Sequence, residues 1–133
     1  TEESQVTIKL IFMMLTLLDV IKNNKVLLID EIEDSLHPKI IEYIFNLFRA
    51  GKEAQLLCTT HNTKFLDLKK FRKDQIYFAN KKNDGSTDVY SLYDYSDFRD
   101  TMDLEKAYLQ GRFDAVPIVN DSITRLKSFI DEQ

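Results

Sequence analysis

The stretch Lys25–Pro38 reads Lys-Val-Leu-Leu-Ile-Asp-Glu-Ile-Glu-Asp-Ser-Leu-His-Pro, and the expected fold depends on it. Its aliphatic run, Val26–Ile29, is flanked by polar residues, a pattern typical of a strand that is buried on both faces. The run stops at two adjacent carboxylates, Asp30 and Glu31. Because open α/β sheets bind ligands beyond the carboxyl ends of their strands, this stretch predicts a polar site at the strand tip.

A second predicted strand leads to the same edge of the sheet. Gln55–Thr59 is predicted to be a second buried strand with an apolar centre, and His61 follows it closely. Between the two runs, Pro38 suits the first turn of a helix, whose apolar face would consist of Ile41, Ile44, Phe45 and Phe48. One helical crossover makes the two strands parallel neighbours, with their tips on one edge. We therefore expect Asp30, Glu31 and His61 to lie together.

Such a group has the chemistry of a nucleotide-hydrolysing site. The strand with its two carboxylates has the form of a Walker B element, in which the first carboxylate serves a magnesium ion and the second polarises the attacking water. A neutral histidine donor suits the γ-phosphate. Two simpler interpretations stay open from the residues alone. An Asp-Glu pair also occurs in solvated loops, and a histidine after a strand also serves as a cap or a packing group.

The first predicted helix, Ser4–Lys22, is apolar on all sides, which predicts packing on more than one face. Its apolar centre, Ile8–Ile21, contains Lys9 and Asp19. It is also shorter than the roughly 20 apolar residues that cross a bilayer. We therefore expect a buried helix and no membrane.

The composition, 44% hydrophobic and 30% charged over 133 residues, is that of a globular protein. The net charge of -4 argues against a nucleic-acid surface in this segment, although nucleic acid stays possible for the full protein. A single cysteine, Cys58, permits no intrachain disulfide, which is consistent with a cytoplasmic protein.

The second half of the chain predicts a late β-hairpin and C-terminal helices. Gln75–Ala79 and Asp88–Leu92 are the strands of the hairpin, with Asp84-Gly85 at its turn. Helices are expected at Leu104–Leu109 and Asp121–Ile130. The whole pattern predicts an α/β fold with a mostly parallel sheet flanked by helices. Since the chain starts without a methionine, we expect residues 1–133 to be a single partial domain of something longer.

Several segments resemble a known family. Leu27–Pro38 and Cys58–Asp67 look like the C-terminal half of an ABC-class AAA-type ATPase domain of the P-loop NTPase fold. The later segments Arg72–Phe78, Tyr90–Leu92 and Leu104–Phe113 are similar to the tails of abortive-infection and phage-defence ATP-binding proteins. The first two segments are shared across the ABC class, whereas the tail pattern is specific to the narrower group. The resemblance covers nearly the whole chain.

The resemblance implies a role for each matching residue. Asp30 would help to hold Mg²⁺, usually through water, and Glu31 would be the catalytic base. His61 would be the switch histidine near the γ-phosphate. Ser35 and His37 would lie in the D-loop, which touches the partner subunit beside the nucleotide. Each of these roles follows from the family pattern and not from spacing alone.

Ser4 and Thr7 align with the signature segment, which closes over the ATP of the opposite subunit. Val6 stands where the family has glycine, and its β-branched side chain obstructs close approach of the backbone to phosphate. The chain has three glycines and no G-x-x-x-x-G-K-[ST] loop. We therefore expect the phosphate cradle in a missing N-terminal ATPase half, and no activity from this chain alone.

The function implied by the resemblance is ATP binding and hydrolysis by a homodimer that forms around the nucleotide. The dimer would control an effector protein, in antiviral defence by abortive infection. One alternative is a degenerate, non-hydrolysing module that binds nucleotide or a partner, which Val6 favours. A second is a nuclease gated by the ATPase, with its nuclease site outside this segment.

Two further segments have open interpretations. Glu33 and Asp34 could extend the metal site, but a hydrated loop is the expected place for both. Gln110-Gly111-Arg112 suggests an interface or nucleotide-proximal role by its family-like pattern.

Overall fold

The computed structural model describes residues 1–34, 36–116, 127–128 and 130–131 of the chain. The order of its α-helices and strands is α1 (Glu2–Lys22), β1 (Val26–Ile29), α2 (Pro38–Ala50), β2 (Gln55–Cys58), β3 (Tyr77–Lys81), β4 (Thr87–Ser91) and α3 (Leu104–Leu109). The chain divides into two compact units, Thr1–Asn62 and Thr63–Gln133. That the whole chain is a single partial domain stays a prediction.

The first unit contains the predicted parallel strand pair. β1 and β2 pair in parallel, with Val26 opposite Gln55 and Ile29 opposite Cys58. The crossover between them is α2, which begins at Pro38 as expected, because proline lacks the N–H that a first helical turn leaves unbonded. The buried core of this unit consists of Leu17, Val20, Ile32, Ile41, Ile44 and Phe45. The predicted arrangement of strand, helix and parallel strand is confirmed.

The expectation that both faces of these strands are buried is wrong. Burial alternates along each strand, and Val26, Leu28 and Leu57 are 58%, 69% and 63% exposed. The register places Leu28 directly opposite Leu57, so these side chains share one face. An unbroken aliphatic run permits burial on both faces, but the described residues cover only one of them.

Helix α1 is likewise less buried than its composition predicts. Leu17 and Val20 are buried, whereas five apolar residues at helical spacing are 51% to 67% exposed, namely Ile8, Ile11, Phe12, Leu15 and Leu18. Glu2–Lys22 is also long and apolar enough to cross a membrane, but the core helices of soluble proteins can have the same length and composition. The helix therefore packs on one side and leaves an apolar stripe open on the other.

The second unit contains the predicted hairpin and an aromatic core. β3 and β4 pair antiparallel, and the turn is closed by Gly85 N–H donating to the Lys82 carbonyl at 3.1 Å. Gly85 has a φ of +89°, a conformation that glycine adopts without a Cβ penalty. The buried core is Ile76, Phe78, Leu92, Phe98, Leu104, Ala107 and Phe113. The described strands thus form a small parallel sheet in the first unit and a separate antiparallel hairpin in the second, as the sequence predicts.

The Gln110-Gly111-Arg112 segment has a structural role in ending α3. Gly111 N–H donates to the Tyr108 carbonyl at 3.0 Å and Arg112 N–H to the Ala107 carbonyl at 3.2 Å, the two bonds of a Schellman cap. The Arg112 guanidinium lies 5.2 Å from the centre of the Phe98 ring and 2.8 Å from an Asp97 carboxylate oxygen. These contacts give the segment a structural role, and its role at an interface or near a nucleotide stays a prediction.

Replacing Gly111 by alanine should destabilise the second unit. Gly111 has a φ of +82°, and an added Cβ would meet no atom within 4 Å, so the cost is conformational rather than steric. We expect a loss of about 1–2 kcal/mol in the free energy of unfolding, measured by thermal or urea unfolding. Gly51→Ala is the control, because Gly51 has a φ of -70° and its added Cβ would make ordinary contacts. Equal stabilities of the two variants would contradict this account.

Some predictions fall outside the described residues. Ser35 is one of them, and so is most of the predicted helix Asp121–Ile130. The backbone of Val6 is helical within α1.

Candidate functional site

The candidate site lies where β1 and β2 end side by side. Asp30 follows β1 directly and Thr59 follows β2 directly, and the register brings the two residues together. Thr59 Oγ1 donates a hydrogen bond to Asp30 Oδ1 at 2.5 Å. The same hydroxyl accepts a hydrogen bond from the backbone N–H of Glu31 at 2.8 Å. One threonine therefore fixes one carboxylate and the backbone that bears the other.

The predicted catalytic pair is brought into contact. His61 Nε2 lies 3.5 Å from Glu31 Oε1, with the two side chains 84% and 45% exposed. Asp30 is exposed as well. The prediction that Asp30, Glu31 and His61 lie together at one sheet edge agrees with this geometry, and the exposure leaves the group open to a ligand from solvent.

The backbone around Glu31 is tightly constrained. Its φ is +49°, a left-handed conformation that is unusual for a residue other than glycine, asparagine or aspartate. Ile32 N–H donates to the Thr59 carbonyl at 3.1 Å, and Asp34 N–H donates to the Glu31 carbonyl at 3.0 Å. The Ile32 side chain is buried. These anchors on both sides hold Glu31 in its strained conformation.

The electrostatic surroundings make Glu31 a stronger base than an isolated glutamate. A hydrogen bond with the Asp34 carboxyl, followed by the charge of Asp34, raises the pKa of Glu31, and the nearby Asp30 charge acts in the same direction. The hydrogen bond with His61 opposes this shift in part. A raised pKa favours proton acceptance by a general base, provided that the group is still ionised at the working pH.

Glu33 connects the two loops of the site. Its Oε1 accepts a hydrogen bond from the backbone N–H of His61 at 2.6 Å. Partial burial raises the pKa of Glu33, but hydrogen bonds from the His61 N–H and from Thr60 outweigh it and bring the pKa below its ordinary value. Among the residues with described positions, Glu33 Oε2 is buried without a hydrogen-bond partner. The expected hydrated loop is therefore wrong for Glu33.

The other predicted site residues have local contacts. Ser4 Oγ donates to the Thr1 carbonyl at 2.8 Å, and Thr7 Oγ1 donates to the Glu3 carbonyl at 2.9 Å, both within the first turns of α1. His37 is the N-cap of α2 and its Nδ1 accepts from Lys39 N–H at 3.2 Å. None of these contacts reaches the group at the strand tips. Their roles against a nucleotide or a partner subunit stay predictions.

The donors at the site fit a magnesium ion that is bound mainly through water and phosphate. Mg²⁺ typically takes one or two protein carboxylates and completes its octahedron with waters and substrate oxygens. Asp30 offers an exposed carboxylate at the strand tip, oriented by Thr59 through one oxygen. Across the described ranges, no cluster of three or more acidic, histidine or cysteine side chains forms a metal cage. Asp30 is thus the residue that would hold the ion.

The sequence alone assigns no role to Thr59, and for Glu33 it predicts a hydrated loop, with an extension of the metal site as the alternative. Thr59 was recognisable in principle, because it follows β2 by the same step as Asp30 follows β1, and parallel strands of equal length place such residues side by side. For the contact of Glu33 with the His61 backbone there was no comparable signal. A glutamate in a polar loop is usually hydrated, and its bond to a backbone N–H depends on how the chain turns after β1.

Comparison with protein families identifies the first half of the chain. The family described as "AAA domain, putative AbiEii toxin, Type IV TA system" matches residues 1–67 of the 133. The chain belongs to this AAA domain family. The matched range includes α1, both parallel strands and all the residues of the candidate site. Comparisons with curated proteins and with solved structures gave no match.

Membership in the AAA domain family confirms the predicted resemblance to AAA-type ATPases linked to abortive infection, and the description of the family adds a putative toxin. Domains of this type bind a nucleotide and typically use Mg²⁺. The mixed α/β structure with its small parallel sheet fits a P-loop-like fold. The site at the strand tips therefore lies where a nucleotide site is expected.

Proposed function

We propose that this chain supplies the Walker B carboxylates and the switch histidine of an ABC-class ATPase, and is the C-terminal half of its nucleotide-binding domain. The observation that supports this most directly is the contact between Glu31 and His61, 3.5 Å apart, beside Asp30. A carboxylate for the metal, a second one for water and a histidine donor then form one group. Phosphoryl transfer from a nucleotide uses these parts, namely a carboxylate that holds the metal, a residue that orients the attacking water and donors that stabilise the charge on the phosphate.

The proposed reaction divides the work among the three residues. Asp30 would hold Mg²⁺, which neutralises charge on the β- and γ-phosphates when it is bound. Glu31 accepts a proton from the attacking water as the water oxygen bonds to the γ-phosphorus. The bond from that phosphorus to the bridging oxygen breaks, which leaves ADP and phosphate. His61 donates a hydrogen bond to the γ-phosphate.

The exposed apolar surfaces support a larger domain. Leu28 and Leu57 on the open face of β1 and β2, and the stripe on α1 that includes Phe12, are large apolar groups exposed to solvent in the described residues. Contiguous apolar patches of this kind mark surfaces that another chain segment or protein covers. We propose that the half of the ATPase domain with the phosphate-binding loop packs there.

In the complete protein, ATP would bring two copies together, and hydrolysis would separate them again. This switch would control an effector in phage defence by abortive infection, in the cytoplasm. The second candidate is a degenerate assembly module without hydrolysis, which is favoured by Val6 in the position of the signature glycine. In that case ATP, if bound, would persist and the assembly would not cycle.

The test is to measure ATP hydrolysis and molar mass, by light scattering, of the natural full-length protein with and without Mg-ATP. We expect turnover and a nucleotide-dependent increase in mass. A protein that binds ATP without turnover would favour the assembly module instead. A protein that neither hydrolyses ATP nor changes its mass would contradict the proposed switch.

Residues 1–133 alone should show no ATPase activity. They contain no G-x-x-x-x-G-K-[ST] sequence, so no phosphate-binding loop of this type accompanies Asp30 and Glu31. We expect steady-state turnover at the level of the buffer control, measured by phosphate release, and no saturable ATP binding. Steady turnover that resists further purification would refute this expectation.

A further inference from the structure

We infer that Glu33 is a positioning residue for His61, through the hydrogen bond between its side chain and the His61 backbone. This inference rests on the proposed function, in which His61 contacts the γ-phosphate. Glu33 would not touch the nucleotide. It would fix the point from which the imidazole reaches the phosphate.

The need for such a residue follows from the exposure of His61. Its side chain is 84% exposed, so its surroundings do little to restrict the imidazole. The position of the His61 backbone then largely determines which positions the imidazole can occupy. The described contact of the His61 backbone is the bond from its N–H to Glu33 Oε1, at 2.6 Å. A bond of this length to a carboxylate is short and charge-assisted, a class roughly twice as strong as a neutral hydrogen bond.

Glu33 is itself placed by neighbours with fixed positions. On one side, Ile32 is buried and its N–H bonds to the Thr59 carbonyl; on the other, Asp34 N–H bonds to the Glu31 carbonyl. The turn that bears Glu33 is therefore built on the backbone of Glu31 and on the end of β2.

The contact has a counterpart that runs the opposite way. Thr59, in the loop after β2, holds the backbone N–H of Glu31 in the loop after β1, at 2.8 Å. Glu33, in the loop after β1, holds the backbone N–H of His61 in the loop after β2. Each loop thus uses one side chain to fix the proposed catalytic residue of the other. This reciprocal pair accounts for a glutamate at position 33 better than solvation does.

The test is a set of variants in the natural full-length protein, assayed for kcat and KM of ATP hydrolysis. Glu33→Ala removes the acceptor, and we expect kcat to fall about tenfold, the lower end of the loss found for residues that orient metal ligands. KM should stay within about twofold of wild type, since binding of ATP is not affected. Glu33→Gln keeps an oxygen that can accept the N–H, and should restore most of the rate. Glu53→Ala, a change at an exposed glutamate of the same unit, is the matched control and should leave the rate unchanged.

A double-mutant cycle separates positioning from general destabilisation. If Glu33 acts through His61, Glu33→Ala should cause no further loss of rate in a His61→Ala background. A contribution unrelated to His61 would lower the rate by the same factor in both backgrounds, and that result would overturn the inference. A wild-type rate in Glu33→Ala would also overturn it, while leaving the proposed ATPase function intact.

A spectroscopic measurement reports the contact without relying on turnover. The His61 amide proton should resonate downfield in wild type and in Glu33→Gln, and should move upfield in Glu33→Ala. An unchanged His61 amide signal in Glu33→Ala would overturn the inference about Glu33 and leave the proposed ATPase function intact. A wild-type protein without any turnover would overturn the proposed function, and with it any role of Glu33 in catalysis, even if the amide signal moves as expected.

Discussion

Glu31→Gln in the full-length protein should abolish ATP turnover while leaving ATP binding intact. Glutamine keeps the size of the side chain and loses the ability to accept the proton of the attacking water. We expect kcat to fall by about 10²–10⁴-fold, the usual contribution of a general base. Since binding survives and hydrolysis does not, the ATP-bound dimer should accumulate, visible as doubled molar mass in light scattering with Mg-ATP.

The control for this experiment is Glu53→Gln, the same substitution at an exposed position of the same unit. It should retain wild-type turnover and wild-type cycling between the two masses. If Glu31→Gln retained turnover within about threefold of wild type, Glu31 would not be the base. The contact between Glu31 and His61, at 3.5 Å, would then not belong to a catalytic base and its neighbouring donor.

Thr59→Val should have the next largest effect. Valine has nearly the shape of threonine but lacks the hydroxyl that donates to Asp30 Oδ1 at 2.5 Å and accepts from Glu31 N–H at 2.8 Å. Removal of such a supporting group commonly lowers metal affinity or activity by about 10–100-fold, and we expect a loss of that size in kcat together with a higher Mg²⁺ requirement. A magnesium titration of the ATPase rate measures both.

Thr59→Ser is the matched variant, since serine keeps the hydroxyl and loses one methyl group. It should retain most of the activity and a wild-type Mg²⁺ requirement. If Thr59→Val and Thr59→Ser behave alike, the methyl packing of Thr59 matters rather than its hydrogen bonds, and its proposed role in orienting Asp30 and Glu31 is wrong.

The sequence was sufficient to place the strand tips but not to complete the site. Short aliphatic runs that end in polar residues predict strands, and a single helical crossover predicts their parallel pairing. The proximity of Glu31 and His61 could therefore be predicted from the sequence. The contact of Glu33 with the His61 backbone could not be predicted in this way. It depends on a turn in which Glu31 adopts a positive φ, and nothing in the residue type of a glutamate indicates that conformation.

Burial was the least predictable property, for a related reason. The run Val26–Ile29 and the helix Glu2–Lys22 are apolar on every side, and apolar residues on every side predict burial on every side. Whether that burial occurs depends on what packs against each face, which a local pattern does not contain. In the second unit, by contrast, the bounds of α3 were predicted, although the position of Arg112 over Phe98 was not.

The left-handed backbone of Glu31 has a consequence for protein engineering. A glutamate at a φ of +49° gives up about 1 kcal/mol of stability relative to a residue suited to that conformation. Procedures that optimise backbone fit would choose glycine or asparagine at this position, and a thermal-shift screen would rank such variants as improvements. At position 31, selection for thermal stability would therefore favour replacing the glutamate, whereas selection for ATP turnover would retain it.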